Sequence, residues 1–239
     1  MAEFQGADGT GLLENLFGAT AVGAALISTP LMRGWFGRWG ATAEESRRPL
    51  PGDELTPSPQ FQYTRAITIR ARPEQVYPWI VQWGQERGGL YSYEKLENLI
   101  GCEIHNSNRI LPEHQTLKVG DTVRLGKKGY PLFKVMAFEP NRYVLIASAD
   151  PKTEQVTLPN APFPEKYDGE VMLFYLEATP DGGTRFLLRG RHVYRGISRM
   201  MKVMWYLIDS VGFVMMYKSM RGIKARAEFA AKMGHQKGV

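Results

Sequence analysis

Along the chain, the first long apolar run is Asn15 to Met32 (NLFGATAVGAALISTPLM), eighteen residues without a charge, and apolar residues continue through Trp35, Phe36 and Trp39. A helix needs about 20 mostly apolar residues to cross a bilayer, so the run is long enough to do so. A cleaved signal peptide would start with a basic stretch. Met1 to Glu14 instead carries Glu3, Asp8 and Glu14 and no Lys or Arg, so the segment is expected to be retained. Arg33, Arg38, Arg47 and Arg48 follow it. By the positive-inside tendency they place the N-terminus outside and the remainder in the cytoplasm, with Trp35 and Trp39 at the interface. Gly18, Gly23 and Pro30 weaken an isolated helix, and the competing reading is a helix packed on the soluble domain or lying in the interface. Gly18, Ala19, Gly23 and Ala24 would let another transmembrane helix approach closely.

Residues 40–60, rich in Pro and polar residues, read as a linker, with Thr42 capping a helical turn over 43–47. The domain is then expected over 61–239, with the anchor helix in 1–39. In YTRAITIRA (63–71), Ala66, Thr68 and Arg70 alternate with Ile67, Ile69 and Ala71 at the two-residue period of a strand. Pro73 starts a short helix whose Val76, Trp79, Ile80 and Trp83 have helical spacing. A second short helix is predicted after Ser92 as N-cap, with Tyr93, Leu96, Leu99 and Ile100 on one face and Gly101 as its stop. From Gly120 to Tyr194 the pattern is successive strands, with the clearest hairpin turn at Pro180–Gly183 (PDGG), and these make a mostly antiparallel sheet. The proline-rich segment Pro151 to Pro164 reads as a loop long enough to act as a flap. Gly196 to about Lys232 has the three-to-four spacing of a long helix (Met200, Met204, Leu207, Ile208, Val211, Met215, Met216) that should lie across the sheet.

Composition narrows the classes. Of 239 residues, 44% are hydrophobic and 23% charged, a globular balance. The net charge of +6 is spread along the chain instead of forming a basic run, which favours an anionic membrane surface over nucleic acid. One cysteine, Cys102, allows no internal disulfide, and no CxxC or HExxH spacing offers a zinc site. No cofactor motif is present; GKKG at 126–129 lacks P-loop spacing.

A strand, two short helices, a run of antiparallel strands and a long C-terminal helix form an α+β element order. With TRAITIRARPEQVYPWIVQWGQERGGLYSYEKLENLIGCEIHNSNRI and LKVGDTVRL, the chain resembles membrane-anchored bacterial members of the START-like (SRPBCC) superfamily, which includes polyketide cyclase/dehydrase-like proteins. The resemblance covers about Arg38 to Lys232. It implies a helix-grip (START/Bet v 1-like) fold, a curved antiparallel sheet around the long helix. It also implies an apolar cavity that takes lipids, polyketides or other hydrophobic molecules; no catalytic residue carries over.

Element position makes Trp79, Trp83, Tyr93, Leu96, Met204, Ile208 and Met215 the candidates to line such a cavity, with Met side chains adapting to varied apolar shapes. A cyclase- or dehydratase-type enzyme would use His105 or His114 as base and Tyr93 or Tyr91 as proton donor. The competing view has Tyr93, Leu96 and Leu99 packing inward while His105, Asn106 and Asn108 tie the loop before the sheet. Cys102 is expected to be a buried, inert thiol. Arg189 and Arg191 fall on one side of the last strand, either in solvent or set to bind an anionic head group. The expected partners are a hydrophobic small molecule or lipid and a membrane, or other transmembrane proteins for which this chain is an accessory subunit.

Overall fold

The computed structural model describes residues 11–156 and 167–236. Its strands are β1 (Phe61–Ile69), β2 (Thr122–Arg124), β3 (Leu132–Glu139), β4 (Tyr143–Ala149), β5 (Tyr167–Ala178) and β6 (Thr184–Arg195). The helices are α1 (Leu12–Phe36), α2 (Ala43–Arg47), α3 (Pro73–Val81), α4 (Glu94–Leu99) and α5 (Arg199–Gln236). The six strands form one antiparallel sheet in the order β1-β6-β5-β4-β3-β2. With α5 laid across this curved sheet and the N-terminal α1 beside it, the architecture is a helix grip.

Local chemistry sets the boundaries. α2 has a complete capping box, in which Thr42 Oγ1 accepts from Glu45 N–H at 3.1 Å and Glu45 Oε2 accepts from Thr42 N–H at 2.7 Å. The β5–β6 hairpin turns at the expected PDGG, where Gly182 takes a left-handed φ of +78° that a side chain would strain. α4 departs from expectation. Its N-cap is Tyr93, without a side-chain cap, because the Ser92 hydroxyl donates instead to Met215 O of α5 at 3.1 Å. Leu99 and Ile100 are exposed, since Glu97 takes the inward position on this six-residue helix. Of the expected flap at 151–164, residues 157–164 lie outside the described residues.

Strand alternation gives the sheet two apolar faces. On the inner face, Ile69, Met172, Phe174, Phe186 and Leu188 join Val76, Trp79, Ile80 and Trp83 of the α3 region and Met220, Ile223 and Ala227 of α5 in one buried cluster. On the outer face, Ala66, Leu145, Ala147, Val171, Leu173 and Leu187 pack with Leu50, Ala41 and Leu55. The segment expected as a linker therefore lies along the back of the sheet. Arg189 and Arg191 hold it there, so their carboxylate partner belongs to the chain itself. Arg189 Nη1 bonds Asp53 Oδ2 at 2.6 Å and Arg48 O at 2.9 Å, and its Nη2 donates to Glu45 O at 2.7 Å. Arg191 adds a 3.3 Å contact to Asp53 Oδ1.

α1 runs opposite to α5, because Glu14 pairs with Lys218 at one end and Arg33 with Asp209 at the other. Between them Gly18 lies flat on the Tyr93 ring, where a Cβ would come within 2.7 Å. Thr29 Oγ1 bonds Ser210 Oγ at 2.7 Å, and Phe36 stacks on Phe213 at 4.6 Å.

Asp53→Ala leaves the buried Arg189 guanidinium without its counter-ion, and is expected to lower unfolding free energy in urea titrations by about 3 kcal/mol.

Candidate functional site

The residues expected to line a cavity fall in three places. Trp79 and Trp83 are in the inner-face core, where Trp83 stacks obliquely on Phe174 at 5.3 Å and donates to Ser219 Oγ at 3.1 Å. Tyr93, Leu96 and Met215 sit in the seam where α1 and α4 meet α5. Met204 and Ile208 lie on the exposed side of the first half of α5. His105, one of the two expected bases, is a surface side chain, 84% exposed and 3.7 Å from Glu94 Oε1, whereas Tyr93 is buried against α1. His105 borders a shallow hollow of about 260 Å³ with Gln85, Glu86, Arg87 and Glu103.

The stretch around them is stitched by side-chain to backbone bonds. Asn106 Oδ1 accepts from Tyr91 N–H at 2.6 Å, and Asn98 Oδ1 accepts from Ile104 N–H at 2.7 Å. Arg226 of α5 donates to Ser107 O at 2.9 Å and Asn108 Oδ1 at 2.8 Å. Cys102 is buried, and burial, followed by the Glu97 charge, pushes its thiol pKa up. Among the described residues, no group of three or more His, Cys, Asp or Glu is placed to hold a metal ion.

The chemically dense part of the structure lies elsewhere, on the inner face where β1 and β5 begin and β6 ends. Alternation there turns Tyr63, Arg65, Asp168, Glu170 and His192 toward α5, which contributes Trp205 and Asp209. Tyr63 Oη donates to Glu170 Oε1 at 2.8 Å. Asp168 accepts on both oxygens, with His192 Nε2 at 2.5 Å from Oδ1 and Trp205 Nε1 donating to Oδ2 at 2.7 Å. The Trp205 ring meets the His192 ring edge-on at 4.7 Å and closes this end. Arg65, 1% exposed, donates from Nε to Phe36 O at 2.9 Å, and its guanidinium faces the rings of Tyr63 at 4.2 Å and Phe213 at 5.2 Å. Arg33 of α1 holds Asp209 Oδ2 at 3.3 Å. Gly190 lies opposite Tyr63 in the β1–β6 pairing. A Cβ there would fall 2.2 Å from the Tyr63 ring and 2.4 Å from Glu170 Oε1, so only glycine lets that pair close.

Burial dominates the electrostatics. It raises the Glu170 carboxyl pKa against the opposing pull of His192, Tyr63 and Arg65. Asp209 is raised by the same cause against Arg65 and Arg33. The Tyr63 phenol is pushed well above its ordinary value by burial and then by Glu170. The result is a polar pair, a reluctant carboxyl with a phenol, beside an imidazole–carboxylate pair, all at one end of an otherwise apolar face.

The sequence carried a signal for this cluster. Arg65 has the same parity as Ile67 and Ile69, Glu170 the same parity as Met172 and Phe174, and Asp209 interrupts an apolar helix. A charge on the buried side of an amphipathic element is the mark of a paired interior group.

No family model and no curated protein sequence matches the chain. Solved structures do. Protein CV1439 from Chromobacterium violaceum aligns over 70% of this chain and 96% of its own at 11% identity and a TM-score of 0.35. CalU16 from Micromonospora echinospora aligns over 73% and 88% at 16% identity and 0.32. Ara h 8.0201 aligns over 64% and 97% at 13% identity and 0.32. Likenesses of this size carry no argument about function, and the fold assignment rests on the strand order and helix placement above.

Two substitutions probe the polar cluster and α4. Gly190→Ala should separate Tyr63 from Glu170 and lower the midpoint of thermal unfolding, overpacking of this kind costing about 1–3 kcal/mol. Glu97, 4% exposed, has its pKa raised from 4.5 to about 7, chiefly by burial. The folded state therefore keeps a proton that the unfolded chain releases, and stability falls as pH rises through that window and levels off above it. Glu97→Gln should flatten this profile, gaining up to roughly 3 kcal/mol at pH 8 in denaturant titrations.

Proposed function

We propose that this chain is a helix-grip domain that rests on a membrane surface and takes a hydrophobic small molecule or lipid between its sheet and α5. One observation carries the reading: α1 and the first half of α5 carry large apolar residues on their outer faces. A surface helix of a water-soluble protein turns its large apolar residues inward. α1 does the reverse. Its buried residues are Asn15, Gly18, Ala25 and Thr29, with Phe36 at its last position, while Leu13, Phe17, Ile27 and Leu31 point out, the last two 85% and 90% exposed. Small and polar residues at the helix contact with large apolar ones outside is the arrangement favoured in lipid. The first half of α5 adds Met200, Val203, Met204, Leu207 and Ile208, all exposed.

α1 is long and apolar enough to cross a bilayer. Its pairing with α5 from Glu14 to Phe36 supports a helix lying along the domain in the interface, with Trp35 and Arg38 at the headgroup level. The same two helices cover the Arg65 end of the inner face, so an apolar molecule passing in from the bilayer would have to part them.

A cyclase- or dehydratase-type activity is the second reading, favoured by the polar pair that such chemistry needs. Glu170 with its raised pKa and Tyr63 would serve as proton donors, and His192 oriented by Asp168 as base.

The test is flotation of the full chain with phosphatidylcholine/phosphatidylglycerol vesicles, followed by extraction of any retained apolar molecule. The wild type is expected to float, and Ile27→Asp/Leu31→Asp to partition on the order of a hundredfold less, each large apolar side chain contributing about a factor of ten or more. Equal partitioning of the two would overturn membrane apposition. Assembly only with co-purified membrane proteins would assign the outward faces to a protein partner.

A further inference from the structure

We propose that the tip of α4 and the turn between β2 and β3 form a contact site for anionic phospholipid, Leu99 and Ile100 entering the bilayer surface while Lys95, Lys127 and Lys128 meet lipid phosphates; this deepens the membrane reading above and rests on it. Leu99 and Ile100 were expected to pack inward, and they are instead 82% and 69% exposed. Leu96, at three-to-four spacing from both, is the residue of α4 that meets α1, where its N–H donates to Asn15 Oδ1 at 3.2 Å. The next turn of that α4 face carries Leu99 and Ile100 beyond the contact. On α1, Leu12 and Leu16 flank Asn15 and are exposed, so the apolar surface of α1 continues onto the tip.

The tip is held in shape by the GKKG turn. Tyr130 Oη donates to Ile100 O, and the Tyr130 ring lies flat on Gly126, where a Cβ would come within 2.6 Å. Gly101 takes a left-handed φ of +92°, and a Cβ there would fall 3.7 Å from Lys127 Nζ. The turn therefore sets Lys127 beside the end of α4, and Lys95, four residues before Leu99, shares its side of the helix. Lys95, Lys127 and Lys128 are exposed, and none has a carboxylate partner among the described residues. The acids of this region are turned elsewhere. Glu94 Oε2 accepts from Asn106 N–H at 2.7 Å, Glu97 is buried, and Glu103 borders the hollow with Arg87.

Charge and size select the occupant. Three unpaired lysines around an apolar pair complement a surface that is negative outside and apolar beneath, as an anionic leaflet is. Two aliphatic side chains are too few for a stable protein interface, which takes about 800 Å² from each partner. Nucleic acid would need an aromatic plane on which to stack, and the ring of Tyr130 is committed to Gly126.

The experiment is flotation of the full chain with vesicles of phosphatidylcholine alone and of equal parts phosphatidylcholine and phosphatidylglycerol. The wild type is expected to prefer the anionic vesicles and to lose that preference in high salt. Lys95→Gln/Lys127→Gln/Lys128→Gln should partition on the order of a hundredfold less onto anionic vesicles, about fivefold per lysine, and equal the wild type on phosphatidylcholine. Leu99→Ser/Ile100→Ser should lose about tenfold or more on both. All five side chains are exposed, and the salt dependence of the wild type stands as a test without any substitution. If both variants float as the wild type does while Ile27→Asp/Leu31→Asp does not, the α4 site is overturned and membrane apposition through α1 stands. Release of the wild type by millimolar glycerol 3-phosphate would replace the lipid surface with a site for a free phosphate ester. Equal binding to both vesicle types at low salt would overturn the selection of anionic lipid, and failure of the wild type to float with either would remove the membrane reading itself.

Discussion

The arrangement of this protein depends on one buried guanidinium. Arg65 sits on the inner face of β1, takes the last carbonyl of α1 through Phe36 O, and faces Asp209 of α5, so three elements far apart in sequence converge on one side chain. Desolvating such a group is unfavourable by several kcal/mol, and it stays in place because rings, a carbonyl and a carboxylate surround it. Removing α1 would strip away Phe36, Arg33 and Thr29 together and leave Arg65, Asp209 and Ser210 facing the space they filled. α1 is therefore a structural member of the domain.

The inner face is divided accordingly. Toward the second half of α5 it is a packed aromatic core in which Trp79, Trp83, Phe174 and Phe186 are buried. Toward the first half it is polar and closed by Trp205 over His192 and Asp168. α5 thus has two roles along one continuous helix: its second half is held by the sheet and α3, and its first half presents Met200, Met204 and Ile208 outward while Asp209 and Ser210 engage β1 and α1.

Much of this architecture was legible beforehand. Alternation marked β5 and β6, PDGG marked their turn, Thr42 its helix, and three-to-four spacing α5, because each of these signals is local. The site was harder to read, because a charge on an apolar face announces burial without naming its partner. Arg65 and Asp209 are 144 residues apart, and nothing in either neighbourhood points to the other. The same limit applied to Arg189 and Arg191, whose counter-charge, Asp53, sat in a stretch that reads as a linker by composition. Ser92 looked like a cap because capping is the local use of serine, and the long-range bond to Met215 O displaced it.

The pairing of the two ends of the chain has a kinetic side. β1 pairs with β6, and α1 packs against α4 and against the far more distant α5. Contacts of such long sequence separation form late and slowly. Until α5 is made, α1 lacks the partner that covers Thr29 and Phe36, and a nascent chain with an uncovered apolar helix tends to aggregate. Lipid in contact with Leu13, Phe17, Ile27 and Leu31 from the start would shelter the helix while the remaining residues are made, so the outward faces would serve biogenesis as well as the finished molecule.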